Sequence, residues 1–160
     1  YYIGLYDKWS KYEPETEGVV VAFASIHGNT AQTARKFAEI LKAKGAENVI
    51  VHDLSRCDMS KAVEDAFRYS RLVVAAASYD SDVFPPMHDF LHHLAIKNYS
   101  KRRIGIIENG SWAPSAGKAM RKIIDTFKDV TVADTMVTIM STLKPADMPV
   151  LERLADEVLA

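Results

Sequence analysis

The stretch Val19-Val20-Val21-Ala22-Phe23-Ala24-Ser25-Ile26-His27-Gly28-Asn29-Thr30 constrains the fold more than any other, because a charge-free run passes through a small, hydroxyl-rich turn into a helix start. Val19 to Ala24 reads as a strand buried on both faces. Ala34, Phe37, Ala38 and Leu41 follow at helical spacing, so one face of the next helix can lie on the sheet. Backbone N–H groups at a helix N-terminus lack intrahelical partners and sit at the positive end of the dipole, which suits an anion. Ser25, Asn29 and Thr30 add short donors, and Gly28 permits close approach or a positive φ. The stretch reads as a phosphate cradle, although Asn and Thr before a helix are also ordinary N-caps in proteins that bind nothing.

The same alternation continues down the chain. Val49 to Leu54, Leu72 to Ala77, Arg103 to Glu108 and Val130 to Ile139 have the character of strands. Gly45 stands where a helix end needs a left-handed residue. Helices are expected from Met59 or Ser60, with Val63, Ala66 and Phe67 inward, and over Pro86 to Ile96, with Met87, Phe90, Leu91 and Leu94 on one face. Ser115 to Lys128 is a further helix, turning Ala116, Met120, Ile123, Ile124 and Phe127 inward, and Leu151, Leu154, Ala155 and Val158 mark a last one. Five strands alternating with five helices imply a doubly wound parallel α/β sheet, because each right-handed crossover carries a helix.

In such a sheet a ligand sits beyond the carboxyl ends of the strands, where the strand order reverses. Three loops should meet there: Ser25 to Thr30, Ser78 to Pro86 and Asn109 to Gly117. The second holds Ser78, Tyr79, Asp80, Asp82 and Phe84; the third holds Asn109, Gly110, Ser111, Trp112, Ser115 and Gly117. Small polar groups beside large aromatics suit a phosphate-bearing ligand with a flat ring system. Trp112 is the first candidate for stacking and Tyr79 or Phe84 for a second contact, while each could also serve as a packing anchor.

With 160 residues, 48% of them hydrophobic and 26% charged, the chain has the length and composition of one globular domain. A net charge of −1 argues against a nucleic-acid partner, and no apolar run is long enough for a membrane span. The lone Cys57 supports no disulfide framework, which makes a reducing cytoplasm the default. The chain begins at Tyr1 rather than a methionine and reads as a fragment or processed product. Residues 1–18 stand apart: Tyr1, Tyr2, Tyr6, Trp9 and Tyr12 lie among charges ahead of an acidic Pro-Gly segment, so they form either an arm packed on its own domain or a connector to another one. The compact domain is expected over residues 19–160.

Ser25-Ile26-His27-Gly28-Asn29-Thr30 is similar to the flavodoxin phosphate loop, and the two later loops stand where flavodoxins hold the isoalloxazine of FMN. The arm Tyr6-Asp7-Lys8-Trp9-Ser10-Lys11-Tyr12, the Phe84-Pro85-Pro86-Met87 helix start and the Gly110-Ser111-Trp112 loop narrow the likeness. Together they resemble the carboxyl-terminal flavodoxin-like domain of flavodiiron proteins, also called A-type flavoproteins. The resemblance implies a five-stranded sheet of order 2-1-3-4-5 binding FMN, preceded in the full protein by a metallo-β-lactamase-like domain. It also implies that FMN passes electrons to a di-iron site reducing dioxygen or nitric oxide, in the same or a partner subunit of a homo-oligomer. A rubredoxin or an NADH-linked reductase would be the donor. Many flavodoxins have a hydroxyl residue where this chain has His27; a neutral imidazole loses one donor there, and an imidazolium adds charge.

Outer-sphere electron transfer needs no nucleophile or acid–base pair, so no catalytic residue is assigned and the fragment alone is not expected to be an enzyme. Asp80 and Asp82 could disfavour an anionic reduced flavin or be solvated acids. His88, His92 and His93 share a helix without further ligands and read as a solvated face rather than a metal site. The near-balance of 20 basic and 21 acidic residues suits transfer within a larger protein better than a free shuttle. A stand-alone flavodoxin, an FMN-dependent quinone reductase and a ligand-free interaction domain remain alternatives. A phosphoacceptor receiver would need acids where the chain has Ser25-Ile26 and Ala77-Ser78.

Overall fold

The computed structural model describes residues 2–79, 82–110 and 114–160. Helix α1 (Tyr2–Ser10) leads into β1 (Thr16–Ala24), followed by α2 (Asn29–Ala43), β2 (Val49–Asp53), α3 (Met59–Arg68) and β3 (Tyr69–Tyr79). Then come β4 (Asp82–Val83), α4 (Pro85–Ile96), β5 (Arg103–Gly110), α5 (Ala116–Ile124), β6 (Thr131–Met140), a short 3₁₀ turn at Pro145–Asp147 and α6 (Met148–Leu159). The parallel sheet runs β2-β1-β3-β5-β6, which is the expected order 2-1-3-4-5 once the two-residue β4, antiparallel to β3, is set aside.

Alternation along β1 builds both layers. Val20, Ala22 and Ala24 face one core with α3, α4 and α5, whereas Val19, Val21 and Phe23 face another with α2 and α6. Because both faces are covered, the central strands carry apolar residues at consecutive positions over Val19–Ala24 and Leu72–Ala77, which is why β1 and β3 read as continuous runs rather than alternating ones. Val63, Ala66, Met87, Phe90, Leu91, Leu94, Met120, Ile124, Leu151, Leu154, Ala155 and Val158 are buried as their spacing predicts. Gly45 ends α2 at φ 95°.

Some boundaries differ from the sequence pattern. Strand β1 starts at Thr16, three residues before the apolar run, because Thr16 pairs with Tyr69 ahead of a register shift. Helix α5 ends at Ile124 rather than Lys128, and the turn that follows, with Phe127 N–H donating to the Ile124 carbonyl, swings Phe127 into the core. Helix α1 and strand β4 have no counterpart in the expected elements.

At the N-terminal end of the sheet a buried Arg102 binds the chain together. Its guanidinium donates to the carbonyls of Tyr69 (3.0 Å), Phe67 (2.5 Å), Ser100 (2.7 Å) and Tyr12, and lies 5.4 Å from the Tyr99 ring centre. Burial lowers the pKa of Arg102, and no carboxylate pairs with it among the described residues. Tyr12 is thereby held to the domain, whereas Ile3 and Trp9 of α1 stay exposed. Nearby, the Glu17 carboxylate accepts from Arg71 at 2.6 Å and from the Ser70 hydroxyl at 2.8 Å.

Candidate functional site

The chain leaves β1 toward β2 on one side and returns to β3 on the other, so the carboxyl ends of β1 and β3 part company there. A cleft of about 220 Å³ opens at that place, lined by Ser25, Ile26, His27, Asn29, Thr30, Ala77, Ser78, Asn109, Gly110 and Ser141. The three loops singled out in the sequence are thus brought to one spot.

Its floor is the start of α2. The N-cap is Gly28 at φ 89°, a conformation that glycine takes without strain, and no side chain caps the helix. Asn29 and Thr30 are the first helical residues rather than caps, so the ordinary capping role does not account for them. The Ser25 hydroxyl accepts from Gly28 N–H at 3.0 Å and closes the loop. The amides of Ile26, His27, Asn29, Thr30 and Ala31 make no hydrogen bond among the described residues. Thr30 is 2% exposed yet lines the cleft, and its hydroxyl has no partner among those residues either. A buried hydroxyl beside a fan of free amides is a donor set for an anion.

The walls come from the other strand ends. Asn109 donates its side-chain amide to the Ser141 carbonyl at 2.8 Å, joining β5 to the loop after β6. A Cβ at Gly110 would meet the Pro114 Cα at 2.9 Å, so a side chain there would collide with Pro114. The Ser78 hydroxyl accepts from the amides of Ser115 (2.8 Å) and Ala116 (3.1 Å) and so caps α5 from another strand. Ser115 donates its own hydroxyl to the Asp82 carbonyl at 3.0 Å. Gly117 is buried away from the cleft lining; its amide donates to Glu108 at 2.5 Å, and a Cβ there would collide with that carboxylate. Tyr79, half exposed, lies 5.8 Å from the Phe84 ring outside the cleft lining. Asp80, Ser111 and Trp112 lie outside the described residues.

Sequence reasoning missed Ser141 and Glu108. Ser141, at φ 67°, follows the last strand of the sheet, and the carboxyl-end rule that selected three loops applies equally to that fourth one. Glu108 is a single acid closing an apolar strand, buried between the start of α5 and the Thr138 hydroxyl, 2.8 Å away. The imidazoles of His88 and His92 stack at 6.2 Å on an exposed face of α4, and no cluster of metal-ligating side chains occurs among the described residues.

A larger hollow of about 490 Å³ between α3 and α4 offers a contrast. Met59 and Ser60, the first residues of α3, line it, but the Asp58 side chain accepts from Ser60 N–H at 3.0 Å and occupies that helix end.

No protein-family model matches the sequence, and no curated protein matches it. Solved structures do. Rubredoxin:oxygen oxidoreductase from Desulfovibrio gigas superposes with a TM-score of 0.86 at 18% identity, over 95% of this chain but 38% of its own. A flavo-diiron protein from Thermotoga maritima gives 0.81 at 21% identity, over 98% of this chain and 39% of its own. The flavodoxin of Streptococcus pneumoniae TIGR4 gives 0.73 at 25% identity, over 88% of this chain and 97% of its own. The fold is therefore flavodoxin-like, and the chain spans about two-fifths of the longer proteins it matches. No helix among the described residues is long and apolar enough to cross a membrane.

Proposed function

We propose that this chain is an FMN-binding electron-transfer domain within a longer protein, and that the other part of that protein carries a di-iron site reducing dioxygen or nitric oxide. One observation carries the cofactor: the α2 N-terminus opens uncapped into a cleft at the strand-order reversal, with Thr30 buried beside it and its hydroxyl unpartnered among the described residues. These groups fit a phosphate monoester. The amides of Asn29, Thr30 and Ala31 and the Thr30 hydroxyl would hold the phosphate, with Gly28 keeping the approach free of a side chain. Asn109, Gly110 and Ser141 would border the rest of the ligand, and Tyr79 and Phe84, with Ser111 and Trp112 on the sequence pattern, would border its flat ring. Ser78, Ser115 and Gly117 act through α5, whose start they fix against β3, β4 and β5. FMN itself supplies the transfer of one or two electrons, and the chain binds it, orients it and sets the polarity around it.

The di-iron context rests on the arm. The flavodiiron structures cover 95–98% of the chain, whereas the flavodoxins cover 88–90%, a shortfall about as long as residues 1–18. Exposed Ile3 and Trp9 on α1 suit a connector packed against a preceding domain. A rubredoxin or an NADH-linked reductase would be the donor, and a homo-oligomer would bring flavin and iron together across subunits. The stand-alone flavodoxin reading keeps the cofactor and loses the iron.

The test is the visible spectrum of the purified chain after FMN is added and excess removed. Retained flavin bands that dithionite reduces in steps support the assignment; a folded chain that retains none overturns it.

A further inference from the structure

Of the ten residues lining the cleft, His27 alone has a side chain that ionises. Among the described residues, the charged groups on the surrounding elements line no part of it. Lys144, after β6, donates to the carbonyls of Met140 (2.6 Å) and Thr142 (2.9 Å), and Glu108 of β5 binds Gly117 and Thr138. Asp82 of β4 accepts from its neighbour Val83, and Arg35 of α2 lies 5.1 Å from the Phe23 ring centre. A phosphate monoester near neutral pH carries close to two negative charges, with its second pKa near 6. Against this the α2 terminus supplies only about half a positive charge. Free amides and a hydroxyl orient the phosphate; they do not neutralise it.

We propose that His27 sets the preference of the cleft for a phosphate-bearing flavin over a neutral one, its imidazolium donating an N–H to a phosphate oxygen. The inference rests on the FMN reading and makes affinity depend on pH through one residue. Histidine is the side chain whose charge ordinarily changes between pH 5 and 8. Because His27 is solvent-exposed, screening limits its effect to a modest factor. The phosphate titrates over the same range, so the informative quantity is the ratio of dissociation constants between variant and wild type, in which that titration cancels.

The experiment titrates FMN and riboflavin into wild type and His27→Gln from pH 5.5 to 8.5, following flavin fluorescence, with circular dichroism as the check on folding. Glutamine keeps a donor and removes the charge. The expected FMN ratio, variant over wild type, is near one at pH 8.5 and rises to about three- to tenfold at pH 5.5, whereas the riboflavin ratio stays flat. A flat FMN ratio overturns the role of His27 while leaving the flavin reading intact, as does a riboflavin ratio that rises in parallel. A folded wild type that binds neither flavin overturns the FMN reading itself.

Discussion

At the N-terminal end of the sheet one guanidinium collects four carbonyls, whereas at the C-terminal end the amides around Gly28 have no acceptor among the described residues. The strands are the same; what differs is how their loose polar groups are satisfied. Arg102 is buried and its donors are directed at backbone, so those carbonyls are satisfied from within the chain, although the neighbouring Tyr99 hydroxyl is buried without a partner among the described residues. Thr30 is as buried as Arg102, and its hydroxyl at the cleft has no partner among the described residues. The contrast lies in the backbone: the basal carbonyls share a donor in Arg102, whereas the amides around Gly28 open toward the cleft at the strand-order reversal without an acceptor among the described residues.

The harshest way to break this comparison is Arg102→Met. It leaves the carbonyls of Tyr12, Phe67, Tyr69 and Ser100 without their common donor, and the expected loss of stability is about 3 kcal/mol, measured by urea unfolding. A loss below about 1 kcal/mol would mean that water replaces the guanidinium and that the basal end is not closed at all. A gentler change at the other end is Thr30→Val, which keeps the shape and removes the hydroxyl. Stability should hold or rise slightly, because a hydroxyl without a partner among the described residues is replaced by a methyl group, while FMN affinity falls about tenfold. Equal affinity for the two proteins would remove Thr30 from the donor set.

The smallest effect belongs to Ser70→Ala at the basal end. The Ser70 hydroxyl and then the Arg71 guanidinium hold the Glu17 carboxyl below its ordinary pKa. Such a group stabilises the fold above the unfolded carboxyl value of about 4.3 and loses that contribution as pH falls through the lower folded value. In Ser70→Ala the titrating part of the stability should shrink by less than about 1 kcal/mol, since Glu17 is solvent-screened. Unfolding curves from pH 7 to 3 for the two proteins should therefore converge on the acid side.

How much of this could be read from the residues depends on the range of the interaction. Hydrophobic runs and helical spacing are local signals, so the strands, the order of the layers and the Val19–Thr30 turn were legible, down to the left-handed Gly45. Arg102 was not, because in the sequence it is one of three successive basic residues, Lys101, Arg102 and Arg103, and only the crossing of α3, the arm and β5 decides which of them is buried. Ser78 shows the same limit within the site. Its loop was identified correctly, but the side chain caps α5, an element that begins 38 residues later, and nothing local to Ser78 marks that partner. Gly117 is the converse: its place in the Asn109–Gly117 loop suggested the ligand, whereas the Glu108 carboxylate beneath it accounts for the missing side chain.

The Arg102 cluster also has a kinetic meaning. Its bond to Tyr12 joins positions 90 residues apart, and those to Phe67 and Tyr69 span 35 and 33. Contacts of such separation close large loops, so they are expected to form after the local contacts of the β1–α2–β2 crossover unit. Interactions absent from the folding transition state act on the rate of unfolding and leave the rate of folding nearly unchanged. Arg102 is then expected to act as a latch: its loss should speed unfolding far more than it slows folding, which places control of the folded lifetime at the end of the sheet opposite the cleft.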